Sequence, residues 1–235
     1  MTLKKSRIGA EAPPFIVFAN NKGGPGKTLL THHVALCADQ SGLKVLVVDL
    51  DILQGNIIRR IAAAHGKNLA RDALPKTFQF GDHGSKIVVA ARLHDVVVKG
   101  YDVVLVDTPP GSSLPEGRAI DLVVIPVNSL DAAHGAHTTI GRARKVGTLP
   151  WVILTGGDAG GRVEARLFNE IVRALPKDVA RSEVPIPFHA SIVRSCNQGE
   201  PAWGGARLNR GAAALLATAN SIVDWVRERR TTGAA

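Results

Sequence analysis

Residues Phe15 to Thr28 read FIVFANNKGGPGKT. The first five, Phe15 to Ala19, are apolar or small and predict a short buried strand. Two asparagines, a lysine and a glycine-rich segment follow, closing on Gly26-Lys27-Thr28. Leu29, Leu30, His33, Val34, Leu36 and Cys37 then recur at helical spacing. A strand, a glycine-rich loop and a helix is the context a phosphate-binding loop needs. Glycines let backbone N–H groups crowd around phosphate oxygens, and the helix N-terminus adds partial positive charge. In that reading Lys27 reaches the terminal phosphates and the Thr28 hydroxyl ligates magnesium. Gly23, Gly24, Pro25, Gly26 and Leu29 complete the nucleotide cradle. The usual pattern asks for glycine five residues before Gly26, and Asn21 stands there instead. Pro25 withholds one N–H from the cradle.

Outward from this loop the chain alternates strands and helices. The first helix is expected to run to Gln40 and stop at Gly42, a suitable C-cap residue. Lys44 to Val48 is a continuous apolar run rich in β-branched residues, as in strands buried on both faces. It ends in Asp49-Leu50-Asp51. Tyr101 to Asp107 is a second apolar strand ending in aspartate, and Thr108-Pro109-Pro110-Gly111 breaks it at once. Further strands are expected at Ile87–Ala90, Asp121–Val127, Trp151–Thr155 and Val184–Phe188. Helices are expected at 57–64, 92–99, 131–146, 162–175 and 207–230, while 65–82 carries no consistent period. This alternation predicts a doubly wound α/β domain, with a mostly parallel sheet and helices on both faces. Acidic residues at the carboxyl ends of parallel strands lie at the crevice where such sheets bind ligands. Asp107 is therefore a candidate magnesium residue beside Thr28.

The segments KGGPGKT, the strand end DLD and YDVVLVDTPPG together resemble the ParA/MinD family of deviant P-loop ATPases. The resemblance runs from Ile16 to about Val226 and includes, more weakly, DLVVIPV, WVILT and IPFHASIVRSCNQGEP. It implies ATP and Mg²⁺ as ligands, with ATP sandwiched in a homodimer. It implies that Lys22 crosses to the partner subunit's phosphates, that Lys27 acts in cis, and that Asp51 orients or activates the attacking water. Lys22, Lys27 and Asp51 are thus the expected catalytic residues. Many relatives read DxDPQGN after the second strand. Here Asp51 is followed by Ile52-Leu53-Gln54-Gly55-Asn56, one residue longer and without the proline, which leaves Gln54 and Asn56 without an assigned role. Thr155-Gly156-Gly157-Asp158 lacks the lysine with which related GTPases read guanine, so adenine is expected.

Composition bounds the rest. The 235 residues, 45% hydrophobic, suffice for one sizeable core. The expected organisation is a loose basic arm at 1–13, one P-loop ATPase domain at 14–230 and a disordered tail at 231–235. Cys37 and Cys196 have no metal-type spacing and no CxxC, and suggest a reducing cytoplasm. Neither suits a shared iron–sulfur cluster. His32 and His33 are adjacent and are not expected to share a helix face, so no metal is assigned to them, nor to His134, His137 or His189. No apolar run approaches a membrane span. The net charge is +9 and uneven: residues 1–140 hold 15 Lys+Arg against 12 Asp+Glu, residues 141–235 hold 14 against 8. A basic C-terminal third fits an acidic polymer such as nucleic acid, or equally a solvated basic surface. The ParA branch implies non-specific DNA binding, a nucleoid-associated location, a ParB-like or other stimulating partner, and partitioning of plasmid, chromosome or protein cargo. Candidate DNA contacts are Arg194, Arg207, Arg210 and Arg227, with Arg229 and Arg230. With the loop so near the start of the chain, an N-terminal helix-turn-helix is not expected. A MinD-like membrane-cycling ATPase and a low-turnover nucleotide switch stay open beside this reading.

Overall fold

The computed structural model describes residues 12–24, 26–52, 54–64, 69, 74–156, 162–182, 184–187, 189–205 and 208–233. The expected arm at 1–13 lies almost wholly outside them, as do Pro25, Asp158 and Arg207. Eight strands form one sheet: β1 (Phe15–Phe18), β2 (Val45–Asp49), β3 (Thr77–Phe80), β4 (Ser85–Val89), β5 (Val103–Asp107), β6 (Leu122–Val127), β7 (Leu149–Leu154) and β8 (Ala180–Arg181). Their order is β3-β4-β2-β5-β1-β6-β7-β8, and every neighbour pair is parallel except β3 with β4.

The helices are α1 (Lys27–Gln40), α2 (Asn56–Ala64), α3 (Leu130–Lys145), α4 (Arg162–Ala174), α5 (Ala190–Gln198) and α6 (Arg210–Gly233). Both sheet faces are covered, which is why the central strands are apolar at every position rather than at alternate ones. Ile16, Phe18, Val45, Val47, Val103 and Leu105 point into one core with residues of α1, α2 and α6. Val17, Leu46, Val48, Val104 and Val106 point into the other with α3 and α4. Helix α1 is buried nearly all round, and even Thr31, His32, His33 and Asp39 are inaccessible. Ser85 donates to Asp39 at 2.6 Å, which satisfies that buried carboxylate.

Five expectations change. Residues 92–99 are not an α-helix but a single 3₁₀ turn at Leu93–Asp95. The following Val96-Val97-Val98 is β-branched; Leu93 and Val96 are buried in the core, Val98 packs partly against it and Val97 is exposed. The last strand is β8, not 184–188, where Ile186 alone bridges to Thr155. The aperiodic stretch 65–82 contains β3, a short edge strand with little buried surface to pattern it. Residues 190–198, which the sequence reading assigns to no element, form α5. Helix α6 begins at Arg210, not 207, and continues to Gly233, three residues into the expected tail.

Candidate nucleotide site

Strand β1 sits between β5 and β6, and from it the chain winds outward in both directions. That reversal opens a crevice at the carboxyl ends of β1, β2 and β5. Register brings the candidate residues there. Asp49 pairs with Asp107, and Asp107 with Phe18 at the mouth of the loop. The Thr108 hydroxyl donates to the Phe18 carbonyl at 2.8 Å, and the Gly111 N–H to the Asn21 carbonyl at 3.1 Å. These bonds tie the TPPG turn to the phosphate loop.

Within the loop Gly24 and Gly26 have φ of 80° and 107°, a region only glycine enters without strain. A Cβ on Gly24 would meet nothing within 4 Å, so this part of the loop is open. Gly26 is also the N-cap of α1, and no side chain satisfies the first amides of the helix. Free amides at a helix start suit phosphate oxygens. Lys27 is buried, and its ammonium donates to the Asn20 and Lys22 carbonyls at 3.4 and 3.3 Å. Burial pushes its pKa down, against the pull of Asp107 and Asp51. An ammonium held by two carbonyls and short of solvation is poised to exchange them for phosphate.

Asp107 is 2% exposed, and its Oδ1 has no hydrogen-bond partner. Burial raises its pKa to about 6, opposed by a hydrogen bond with Thr28 and the charge of Lys27. Asp49, also buried, is pushed up to about 7 by burial and by Asp107. An orphaned carboxylate oxygen beside a threonine hydroxyl is a hard oxygen donor set, and it fits Mg²⁺. Thr28 and Asp107 would hold that ion, which would supply charge neutralisation at the phosphates.

The cleft is about 320 Å³ and is lined by Gly24, Gly26, Lys27, Thr28, Leu29 and Asp51 from the motifs. Gln54 and Asn56 also line it and are hydrogen-bonded to each other at 2.7 Å. Thr108 and Pro110 of the TPPG turn line it too, and sequence reasoning missed the rest of the wall: Arg60 of α2, and Val193, Cys196 and Asn197 of α5. No motif marks Arg60. The stretch around Cys196 was visible as a weak resemblance, but its helix was not.

Lys22 lies apart from this cleft. Its side chain is 52% exposed and its ammonium meets Asp131 of α3 at 3.3 Å. Asn20 holds the loop entrance. Its amide donates to the Pro126 and Ala132 carbonyls, and its Oδ1 accepts the Lys22 N–H at 3.0 Å. A Cβ on Gly135 would stand 2.6 Å from that Oδ1 and 3.1 Å from the Lys22 nitrogen. Gly135→Ala should therefore push Asn20 aside and lose a hydrogen bond worth roughly 1 kcal/mol, weakening ATP about fivefold with the fold intact. Calorimetric titration with ATP and a far-UV spectrum check this, and wild-type affinity would show that α3 gives way instead.

The candidate DNA arginines separate. Arg194 and Arg210 are exposed and form no ion pair among the described residues. Arg227 donates to the Ser41 carbonyl at 2.9 Å and meets Asp224 at 3.5 Å. Arg229 pairs with buried Asp121 at 2.6 Å, and Arg230 with Asp102 at 2.7 Å. These last two pin α6 to the starts of strands and have their charge already matched. The two adjacent histidines also depart from expectation: ligand atoms of His32, His33 and Cys196 lie within 4.8 Å of one another.

Fold and loop together define a P-loop NTPase. A family model described as an AAA domain matches residues 14–77. The sporulation initiation inhibitor protein Soj of Bacillus subtilis is 25% identical over 88% of this chain and 97% of its own length. The chromosome-partitioning ATPase Soj of Thermus thermophilus is 28% identical over 84% and 93%. Among solved structures, the cell division ATPase MinD of Pyrococcus furiosus superposes with a TM-score of 0.66 at 17% identity, over 90% of this chain and 99% of that one. The ATP complex of Cyanothece McdA gives 0.62 at 14%, over 93% and 97%. The chain is similar in sequence and in fold to the ParA/MinD family of deviant Walker-A P-loop ATPases, whose activity is ATP hydrolysis. Binding of ATP with Mg²⁺, dimerisation and partner-stimulated turnover are typical of that family. Among the described residues no helix is long and apolar enough to cross a membrane.

Proposed function

We propose that this protein is a ParA-like partition ATPase that dimerises on ATP and binds DNA without sequence preference. In this reading it associates with the nucleoid, moves plasmid, chromosome or protein cargo, and hydrolyses ATP when a ParB-like partner stimulates it. The observation that carries the reading is Lys22. It starts the phosphate loop yet does not line its own cleft; its side chain is half exposed, and among the described residues its ammonium meets Asp131. A lysine so placed is available to a nucleotide in a second subunit. Lys27 neutralises the terminal phosphates in cis, Thr28 and Asp107 hold magnesium, and Asp51 positions the attacking water. Phosphoryl transfer depends mainly on positioning and charge neutralisation, which this set supplies.

The name of one sequence relative, the chromosome-partitioning ATPase Soj, supports partitioning over the other readings. So does α6: Ile222, Val223 and Val226 are buried against the core and are not offered to a lipid surface. For DNA, the unpaired Arg194 and Arg210 are the contacts we favour. Their helix ends are joined by an Asn209–Ser191 hydrogen bond at 2.8 Å, so both charges belong to one region.

A dimer carries two such regions, and the slope of log affinity against log salt is about −0.9 per phosphate neutralised. DNA binding should be weak without nucleotide, tighter with ATP and steeply salt-dependent. Lys22→Ala should remove the ATP effect, and Arg194→Glu with Arg210→Glu should weaken DNA binding and spare basal hydrolysis. Fluorescence anisotropy on two unrelated duplexes at several salt concentrations tests this. Equal affinity with and without ATP, or strong preference for one duplex, would exclude the partition reading and favour a membrane-cycling or switch role.

A further inference from the structure

Behind the nucleotide cleft three side chains converge that the ATPase reading does not use. His32 and His33 are fully buried on α1, and Cys196 is 1% exposed on α5. One ligand atom from each lies within 4.8 Å of the others. The imidazole rings are 4.9 Å apart and nearly perpendicular, which is how neighbours in sequence reach one point.

The hydrogen bonds decide which nitrogens are free. His32 Nε2 faces the Glu200 carbonyl at 3.3 Å, and His33 Nδ1 faces the Leu29 carbonyl at 2.8 Å. A carbonyl only accepts, so each of these nitrogens carries the proton. The opposite nitrogens, His32 Nδ1 and His33 Nε2, hold lone pairs, and neither has a partner. Leaving such groups buried and unsatisfied costs roughly 1–3 kcal/mol each. A ring fixed by a backbone carbonyl on one side with a bare nitrogen on the other is the arrangement of a metal-binding histidine.

We propose that His32, His33 and Cys196 form a binding site for a thiophilic closed-shell ion, Cu⁺ or Zn²⁺, separate from the magnesium position at Thr28 and Asp107. Two imidazoles and a thiolate suit both ions. Bond lengths of about 2.0–2.3 Å place such ligands about 3.6–3.8 Å apart in a trigonal plane, so the widest separation closes by roughly 1 Å on loading. Arg60 donates to the Cys196 sulfur at 3.3 Å, which supports a thiolate and favours the lower charge of Cu⁺. Zn²⁺ would add a water from the cleft, which Cys196 lines. Trp203 packs beside His33. In the free protein burial holds the Cys196 thiol up at about 11 and keeps both histidines neutral, so each ion bound should release one proton, from sulfur. Loading would clamp α5, a wall of the nucleotide cleft, onto α1.

The test uses the full chain, stripped of metal and free of nucleotide, reduced and under argon. Cu⁺ is titrated against a chromogenic cuprous chelator and Zn²⁺ against a chromogenic zinc chelator. One ion per chain should bind in at least one arm and raise the melting temperature. X-ray absorption on the loaded wild type should show one sulfur and two imidazole nitrogens. Cys196→Ser should weaken binding about a hundredfold or more, and Cys37→Ser should leave it unchanged. The proposal is overturned if neither ion binds stoichiometrically, if the absorption spectrum shows no sulfur ligand, or if Cys37→Ser removes the site. The wild-type spectrum decides even if a variant fails to fold.

Discussion

Lys27→Ala should abolish measurable ATP binding. The ammonium is buried at the centre of the loop and rests on the Asn20 and Lys22 carbonyls. Those carbonyls hold the lysine ready and contribute nothing to a phosphate themselves. Without it, the triphosphate enters a low-dielectric pocket beside the Asp49 and Asp107 carboxyls with no cation of its own loop. Breaking a buried charge pair costs on the order of 3 kcal/mol or more, at least about a hundredfold in Kd. Folding should survive, because burial of this ammonium is itself a cost in the free protein, as its lowered pKa records. Calorimetry with ATP and Mg²⁺ gives the affinity and a far-UV spectrum the fold. A folded variant with unchanged Kd would remove the nucleotide site from this loop.

Asp51→Ala should separate binding from turnover. Asp51 lines the cleft but lies outside the glycine-rich loop proposed to hold the phosphates. Its backbone N–H donates to Asp49 at 2.9 Å, and one carboxylate oxygen accepts from the Gln54 N–H at 3.3 Å. The carboxylate is partly exposed in the cleft, where it can meet a water. Positioned acid–base groups contribute about 10²–10⁴-fold, so hydrolysis should fall by that factor while ATP affinity stays near wild type. The ATP-bound dimer should then accumulate, visible as doubled mass in light scattering. Asp51→Asn should behave alike, which separates loss of charge from loss of the turn. Wild-type turnover in either variant would transfer the role to another group in the cleft, with Gln54 and Asn56 the nearest candidates by position.

What could be read from the chain was whatever short-range chemistry dictates. A loop that must present amides to phosphate needs glycine where φ is positive, and Gly24 and Gly26 announce it locally. Strands covered on both faces must be apolar throughout, so VLVVD and VVLVD stand out with their terminal aspartates attached. The nucleotide cradle, the two carboxylates and the doubly wound alternation follow from such patterns, because each is written within one element and its flanks.

Tertiary structure decided what depends on partners far away in the chain. The sheet order sets Asp49 level with Asp107, and neither strand encodes that register alone. Arg229 looks in sequence like its neighbours on α6, yet it is matched to Asp121, 108 positions earlier, which removes it from the pool of free charge that Arg194 and Arg210 still supply. Arg60 and Cys196 meet across 136 positions to complete the cleft wall, and His32 and His33 join them only because α5 closes over α1. Helical periodicity tells which face of a segment is buried; it carries no information about which side chain from another segment will be waiting there.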